Sequence, residues 1–276
     1  MYTSPAPQSA RSAVTVPMLL QMKRNRERIA TLTAYDASFA RAMDHAGIDA
    51  VLVGDSLGMV IKGGANTVSV SIDDMVYHSR CVAQGLQSAL LIADMPFQSY
   101  ATPERALDAA TALLSEGMAS MVKLEGAGFV LDAIAFLSER DIPVCAHLGL
   151  TPQSVLKLGG FKVQGRDEQA ALAIIEQAKQ VERAGAQLLV LECLPSSLAK
   201  SVTETVGIPT IGIGAGPDCD GQILVSYDAL GINSGHRRPR FVKDFLAANG
   251  SIGAAFAQYV RDVKSGEFPS LEHGYA

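Results

Sequence analysis

Short runs of Val, Ile, Leu and Ala alternate along the chain with longer stretches whose apolar residues recur at three- and four-residue spacing. The first pattern fits buried strands and the second amphipathic helices. Strand candidates begin near Ile29, Ala50, Leu90, Met121, Val144, Leu188, Thr210 and Leu224. Helical patterns fall between most of them, among them 103–116, 130–140 and 167–184. Thr102 ahead of Pro103 and Glu104 predicts a capped helix start. Gly47, Gly117 and Gly185 predict left-handed helix ends just before the next strand. Strand, helix and strand in this order demand parallel pairing with right-handed crossovers. Eight such units in 276 residues predict the α/β class, as a single closed (β/α)8 TIM barrel rather than an open doubly wound sheet. The expected organisation is a mobile Ser/Ala/Pro-rich arm over 1–13 and the barrel over 14–264. An N-terminal segment caps the barrel, 241–264 forms a C-terminal helix, and 265–276 is a tail.

Composition narrows the classes of function. A net charge of −5 argues against nucleic acid or an anionic membrane surface as the partner. No apolar run reaches the length of a membrane span, and no secretory signal follows the first residues. Cys81, Cys145, Cys193 and Cys219 lack zinc or CxxC spacing and read as reduced, buried thiols, so a cytoplasmic location is expected.

Side chains two apart share a strand face. Val51, Val53 and Asp55 form one such set; Leu90, Ile92 and Asp94 a second; Met121, Lys123 and Glu125 a third; Leu188, Val190 and Glu192 a fourth. Each face starts aliphatic and ends ionisable, and Cys145 with His147 repeats the pattern. A barrel interior packed with aliphatic layers and open only at its carboxyl-end mouth produces this. Taken singly, an acid at a strand end is as often a helix N-cap, while a lysine like Lys123 is more often a salt-bridge partner and a histidine like His147 more often a core residue. Together on five strands they predict one cleft. Several carboxylates there repel one another unless a cation joins them, and oxygen ligands without a His or Cys cluster favour Mg²⁺. Gly212, Gly214 and Gly216 fail the dinucleotide spacing and read as a tight loop. Lys62, Gly63 and Gly64 fit either a lid or a plain connection.

The motifs TAYD (33–36), VGDSLGMV (53–60), ADMPFQSY (93–100), VKLEG (122–126), HLGLTPQSV (147–155), GGFKVQGR (159–166), LECLP (191–195) and IGIGAGPDCDGQILV (211–225) are distinctive. In order, they resemble the ketopantoate hydroxymethyltransferase family, whose members are 3-methyl-2-oxobutanoate hydroxymethyltransferases. The departures are Asn25-Arg26-Glu27 in place of a glycine-containing turn, and Phe161 where tyrosine is frequent. The resemblance implies a (β/α)8 barrel, bound Mg²⁺ and pantothenate biosynthesis. The implied reaction moves a hydroxymethyl group from 5,10-methylenetetrahydrofolate to 3-methyl-2-oxobutanoate through a Mg-stabilised enolate. It assigns Asp55, Asp94 and Glu125 to the metal, Asp55, Ser56, Asp94 and Lys123 to substrate, and Glu192 to the proton. It places His147 beside the site with Lys123, and implies a homo-oligomer, a decamer in the family.

Two other readings are compatible with such a barrel. Mg²⁺-dependent lyases and mutases of 2-oxoacids share the enolate chemistry but use a cysteine on a mobile glycine-bounded loop, absent here. A non-catalytic metabolite-binding barrel needs no strand-end base.

Overall fold

The computed structural model describes residues 11–232 and 238–276. Strands β1 (Ile29–Thr33), β2 (Ala50–Val53), β3 (Leu90–Asp94), β4 (Met121–Glu125), β5 (Val144–Gly149), β6 (Leu188–Glu192), β7 (Thr210–Ile213) and β8 (Gly221–Leu224) close a barrel in sequence order. All pairs are parallel, and β8 returns to β1 through Ile29↔Gly221. The connections carry α1 (Val16–Asn25), α2 (Ala37–His45), α3 (Leu57–Val60), α4 (Ile72–Ala83), α5 (Pro103–Ser115) and α6 (Val130–Ser138) in the first half. Then come α7 (Val155–Leu158), α8 (Glu168–Arg183), α9 (Ser196–Thr205), α10 (Ser226–Ala229), α11 (Leu246–Asn249) and α12 (Ile252–Ser265).

Two apolar layers hold the wall between them. Ile29, Leu52, Ile92, Met121, Leu188 and Ile211 fill the interior, while Leu32, Val51, Val53, Leu91 and Leu189 face the helices. Leu19 and Met22 of α1 join the inner layer and close its amino-end mouth. Lys23 Nζ fixes this plug to Asp220 Oδ2 at 2.9 Å. The same end carries Asp49, fully buried, which accepts from the Ala30 N–H at 2.9 Å and pairs with Arg11 and with Lys264 Nζ at 2.6 Å. Residues 1–10 of the expected arm lie outside the described residues; Arg11 is held against the barrel.

Seven strands begin where the hydrophobic runs predict, and the eighth begins at Gly221 rather than Leu224. Polar Gln222 masks it, because its amide is buried and donates to the Gly216 carbonyl at 3.1 Å. Thr102 caps α5 through the Arg105 N–H, as expected. Gly47 and Gly185 are left-handed, but Gly117 is not; Met118, at φ 61°, takes that conformation instead. A side chain at Gly117 would lie 2.6 Å from the Leu113 carbonyl, so it is there for closeness. The C-terminal helix starts at Ile252, not 241: Gly250 ends α11 at φ 70° and Ser251 caps α12 through the Ala254 N–H. Cys145, Cys193 and Cys219 are buried free thiols, whereas Cys81 on α4 is half-buried. Among the described residues no helix is long and apolar enough to cross a membrane.

Candidate active site

Register brings the charged strand ends together. Asp94 is the register partner of Lys123, and Glu125 that of His147. Lys123 Nζ lies 2.5 Å from Asp94 Oδ1 and 3.9 Å from Glu125 Oε1, all three side chains almost wholly buried. His147 stands between Glu125 Oε1 (3.4 Å from Nδ1) and Glu192 Oε2 (3.3 Å from Nε2). Neither approach has the alignment of a hydrogen bond, so these are ion-pair contacts. Glu192 keeps 15% of its side chain open to the mouth and lies on β6. In an eight-strand ring that is diametrically across from β2.

Asp55 reaches the cluster by a route that simple alternation misses. Ala50 and Leu52 face the interior on β2, while Val51 and Val53 face the helices. Asp55 lies past the strand's end, in a turn at Gly54, and its N–H donates to Asp94 Oδ2 at 3.0 Å. The following Ser56 Oγ meets the buried Tyr35 hydroxyl at 2.8 Å. Tyr35 in turn presents its carbonyl to His78 Nδ1 at 2.7 Å.

Three polar residues outside the strands, without charge and off the strand-end pattern, tie the cluster together: Tyr35 above, and Gln153 and Tyr100. Gln153 Nε2 donates to Asp55 Oδ2 (2.9 Å) and to the Met95 carbonyl (3.0 Å), and its backbone N–H donates to Glu125 Oε2 (3.0 Å). The Tyr100 hydroxyl donates to Gln153 Oε1 at 2.6 Å and accepts from the Glu125 N–H at 3.4 Å. Tyr35, Tyr100 and Gln153 all sit inside the distinctive motifs, which is the one signal in the sequence that marks them.

The electrostatics are lopsided. Among the described residues, the ion-pair partners of Asp94, Glu125 and Glu192 are Lys123 and His147, and Asp55 adds a further carboxylate beside them. Burial, then Asp94 and Glu125, push the Asp55 carboxyl well above its usual range. Burial would also raise Glu125, but His147, Lys123 and the Gln153 N–H outweigh it and hold that carboxyl down. Burial would strip Lys123 of its proton, yet Asp94, Glu125 and Asp55 keep it charged. Burial and Lys123 oppose a proton on His147; the Glu125 and Glu192 carboxylates prevail and push it up to about 9.

A hard divalent cation fits this arrangement. Asp55 is a carboxylate whose ionisation needs a positive neighbour, and the buried Glu125 Oε1 has no hydrogen-bond partner. Among the described residues no three His, Cys, Asp or Glu groups enclose an ion by themselves. An ion at Asp55 and Asp94 would therefore complete its shell with water and substrate, as Mg²⁺ commonly does. Above the cluster the mouth widens into a cavity of about 1270 Å³ that Asp55, Ser56, Asp94, Lys123, Glu125 and Glu192 help to line.

The model of the ketopantoate hydroxymethyltransferase family matches residues 13–271, which include every residue of this cluster. The chain belongs to that family. It is 59% identical over 262 residues to a 3-methyl-2-oxobutanoate hydroxymethyltransferase from Stenotrophomonas maltophilia, covering 95% of this chain and 96% of the relative. It is 58% identical over 265 residues to one from Shewanella loihica, covering 96% and 100%. Like other ketopantoate hydroxymethyltransferases it is an enzyme. Among solved structures, a phosphonopyruvate hydrolase in complex with oxalate and Mg²⁺ superposes with a TM-score of 0.61 at 15% identity, covering 94% of this chain and 93% of that one. A 2,3-dimethylmalate lyase superposes with a TM-score of 0.60 at 19% identity, covering 88% and 90%. At such identities the likeness is one of fold alone.

Proposed function

We propose that this chain transfers a hydroxymethyl group from 5,10-methylenetetrahydrofolate to 3-methyl-2-oxobutanoate, giving 2-dehydropantoate for pantothenate biosynthesis. What carries this reading is the convergence of Asp55, Asp94 and Lys123 at one mouth with Glu192 across the ring from Asp55. A ketoacid held at the first group presents its C3 hydrogen to the second.

Asp55 and Asp94 are the residues to hold Mg²⁺, with Glu125 beside them either directly or through water. Bound there, the ion would polarise the ketone and favour the enolate. Lys123, fixed and charged by Asp94, offers a buried positive charge to the substrate carboxylate or the enolate oxygen. Ser56 offers a hydroxyl oriented by Tyr35. Glu192 takes the C3 proton. C3 then bonds to the methylene carbon of the donor as that carbon's two bonds to nitrogen break; water supplies the new hydroxyl, the proton from C3 and the remaining water proton go to the two nitrogens, and tetrahydrofolate leaves. His147 holds Glu192 in place from below while remaining paired to Glu125. The rival lyases and mutases of 2-oxoacids often rely on a catalytic cysteine at the mouth. Cys193 lines the cavity, but burial pushes its thiol far up, with Glu192 adding to the effect, which disfavours the thiolate that a nucleophile needs.

The test is turnover of 3-methyl-2-oxobutanoate with methylenetetrahydrofolate, with and without EDTA. Product formation that EDTA abolishes and Mg²⁺ restores supports the reading; no turnover with the folate present overturns it. A soluble homo-oligomer, a decamer by family resemblance, and a cytoplasmic setting accompany the proposal.

A further inference from the structure

The end of the chain is built into the mouth. Tyr275 forms a parallel bridge with Pro195, just past Glu192. Its carbonyl accepts from the Ser196 N–H at 2.9 Å and from Ser196 Oγ at 3.1 Å. Arg240 Nε donates to the Glu272 carbonyl at 2.7 Å, and Phe268 is buried against Phe245 and Tyr259. Residues 268–275 are thus fastened at three places, a costly way to hold a tail that does nothing.

What the fastening achieves is a wall. Tyr275, Phe241 and Arg240 line the cavity together, on the β6–β7 side of the mouth. Gly214, at φ 60° in the loop after β7, lets both rings approach its backbone: a side chain there would begin 2.7 Å from the Phe241 ring and 3.2 Å from that of Tyr275. Burial pushes the Tyr275 hydroxyl up, Cys193 and Glu192 push the same way, and Arg240 and Arg166 oppose, which places the phenol among those groups. The ketoacid chemistry described above uses none of this wall. A five-carbon acid also leaves most of a cavity of about 1270 Å³ empty.

We infer that Tyr275, positioned by the docked C-terminal segment, is a binding residue for the planar bicyclic ring of the one-carbon donor. Phe241 stands beside it, and Arg240 is placed to meet the donor's anionic tail. Planar heterocycles stack on phenol rings, and guanidinium groups pair with carboxylates. The inference rests on the reading of a folate as the donor.

Three measurements on full-length Tyr275→Ala and Tyr275→Phe test it: tetrahydrofolate binding by calorimetry, KM for each substrate, and folate-free deuterium exchange at C3 of the ketoacid. For Tyr275→Ala, the tetrahydrofolate Kd and the methylenetetrahydrofolate KM should rise roughly tenfold or more, the usual cost of removing a stacking ring. The ketoacid KM and the exchange rate should shift much less. Tyr275→Phe, which keeps the ring, should recover most of the lost folate affinity. Unchanged folate binding in Tyr275→Ala overturns the inference, and so does a ketoacid KM that rises in step with the folate KM. Wild-type protein that binds no tetrahydrofolate defeats the donor reading itself, and the inference falls with it.

Discussion

Gln153 Nε2 and Asp55 Oδ2 meet at 2.9 Å, and this contact links the loop after β5 to the turn after β2 across the barrel mouth. Gln153 spends its whole side-chain amide and its backbone N–H here: the amide nitrogen on Asp55 and Met95, the amide oxygen on Tyr100, the backbone N–H on Glu125. It takes one oxygen of Asp55 and one of Glu125, while the other Glu125 oxygen faces His147 and Lys123. Groups that orient a ligand in this way typically change metal affinity 10- to 100-fold when removed. Gln153→Leu, close in volume but without the amide, should weaken Mn²⁺ binding by roughly that factor while the far-ultraviolet spectrum stays native. A Mn²⁺ titration indistinguishable from wild type would mean that Asp55 is oriented by something else.

The same residues show which parts of the site can be read from sequence. Asp94, Lys123, Glu125 and Glu192 are legible because each continues the two-residue rhythm of a strand whose aliphatic members are in the core. Asp55 fits the rhythm only by coincidence. Its true neighbours on the inner face are Ala50 and Leu52, and the chain turns at Gly54 before delivering it. Charge marks it where periodicity misplaces it. Gln153 and Tyr100 carry no charge and lie outside the strands, Gln153 in a single 3-10 turn, so neither rhythm nor electrostatics singles them out. The segment ending in Tyr275 has no hydrophobic period, and its anchors, Pro195, Ser196 and Arg240, are distant in sequence. Long-range backbone contacts of that kind leave no local trace.

Glu192 is separable from the binding groups by where it lies. Replacing it with Gln keeps the shape and removes the base. The rate should fall roughly 10²–10⁴-fold while Mg²⁺ and ketoacid still bind. Deuterium exchange at C3 in the absence of folate reads the step directly. Exchange at the wild-type rate in Glu192→Gln would assign proton removal to another group.

His147 links pH to stability in the metal-free protein. Its proton is held to about pH 9 in the folded state against an ordinary value near 6.5. The folded state therefore binds the proton more tightly than the unfolded one. The resulting stabilisation is full below about pH 6.5 and is lost as pH rises through about 9. Urea midpoints recorded in EDTA should fall across that window, and His147→Gln should flatten the slope. An equally steep decline in His147→Gln would place the titrating group elsewhere.

Gly149 controls the position of Glu192 through the backbone rather than through any side chain. It ends β5 at φ 97°, a conformation that ordinary residues rarely adopt, and it faces β6 so closely that a Cβ would lie 2.2 Å from the Glu192 carbonyl oxygen. The next residue, Leu150, donates its N–H to that same oxygen at 2.9 Å. In Gly149→Ala the two strand ends must part, the Leu150 bond must lengthen, and the Glu192 carboxylate must move with its backbone. Strain at one such position costs about 1–3 kcal/mol, which urea unfolding would register. A displacement near 1 Å at a catalytic base costs about 100-fold in rate, so kcat should fall far more than the ketoacid KM rises. The effect on Glu192 should also be non-additive: in the double variant with Glu192→Gln, Gly149→Ala should slow C3 exchange little further. Full additivity of the two losses would show that Gly149 acts on the site through something other than Glu192.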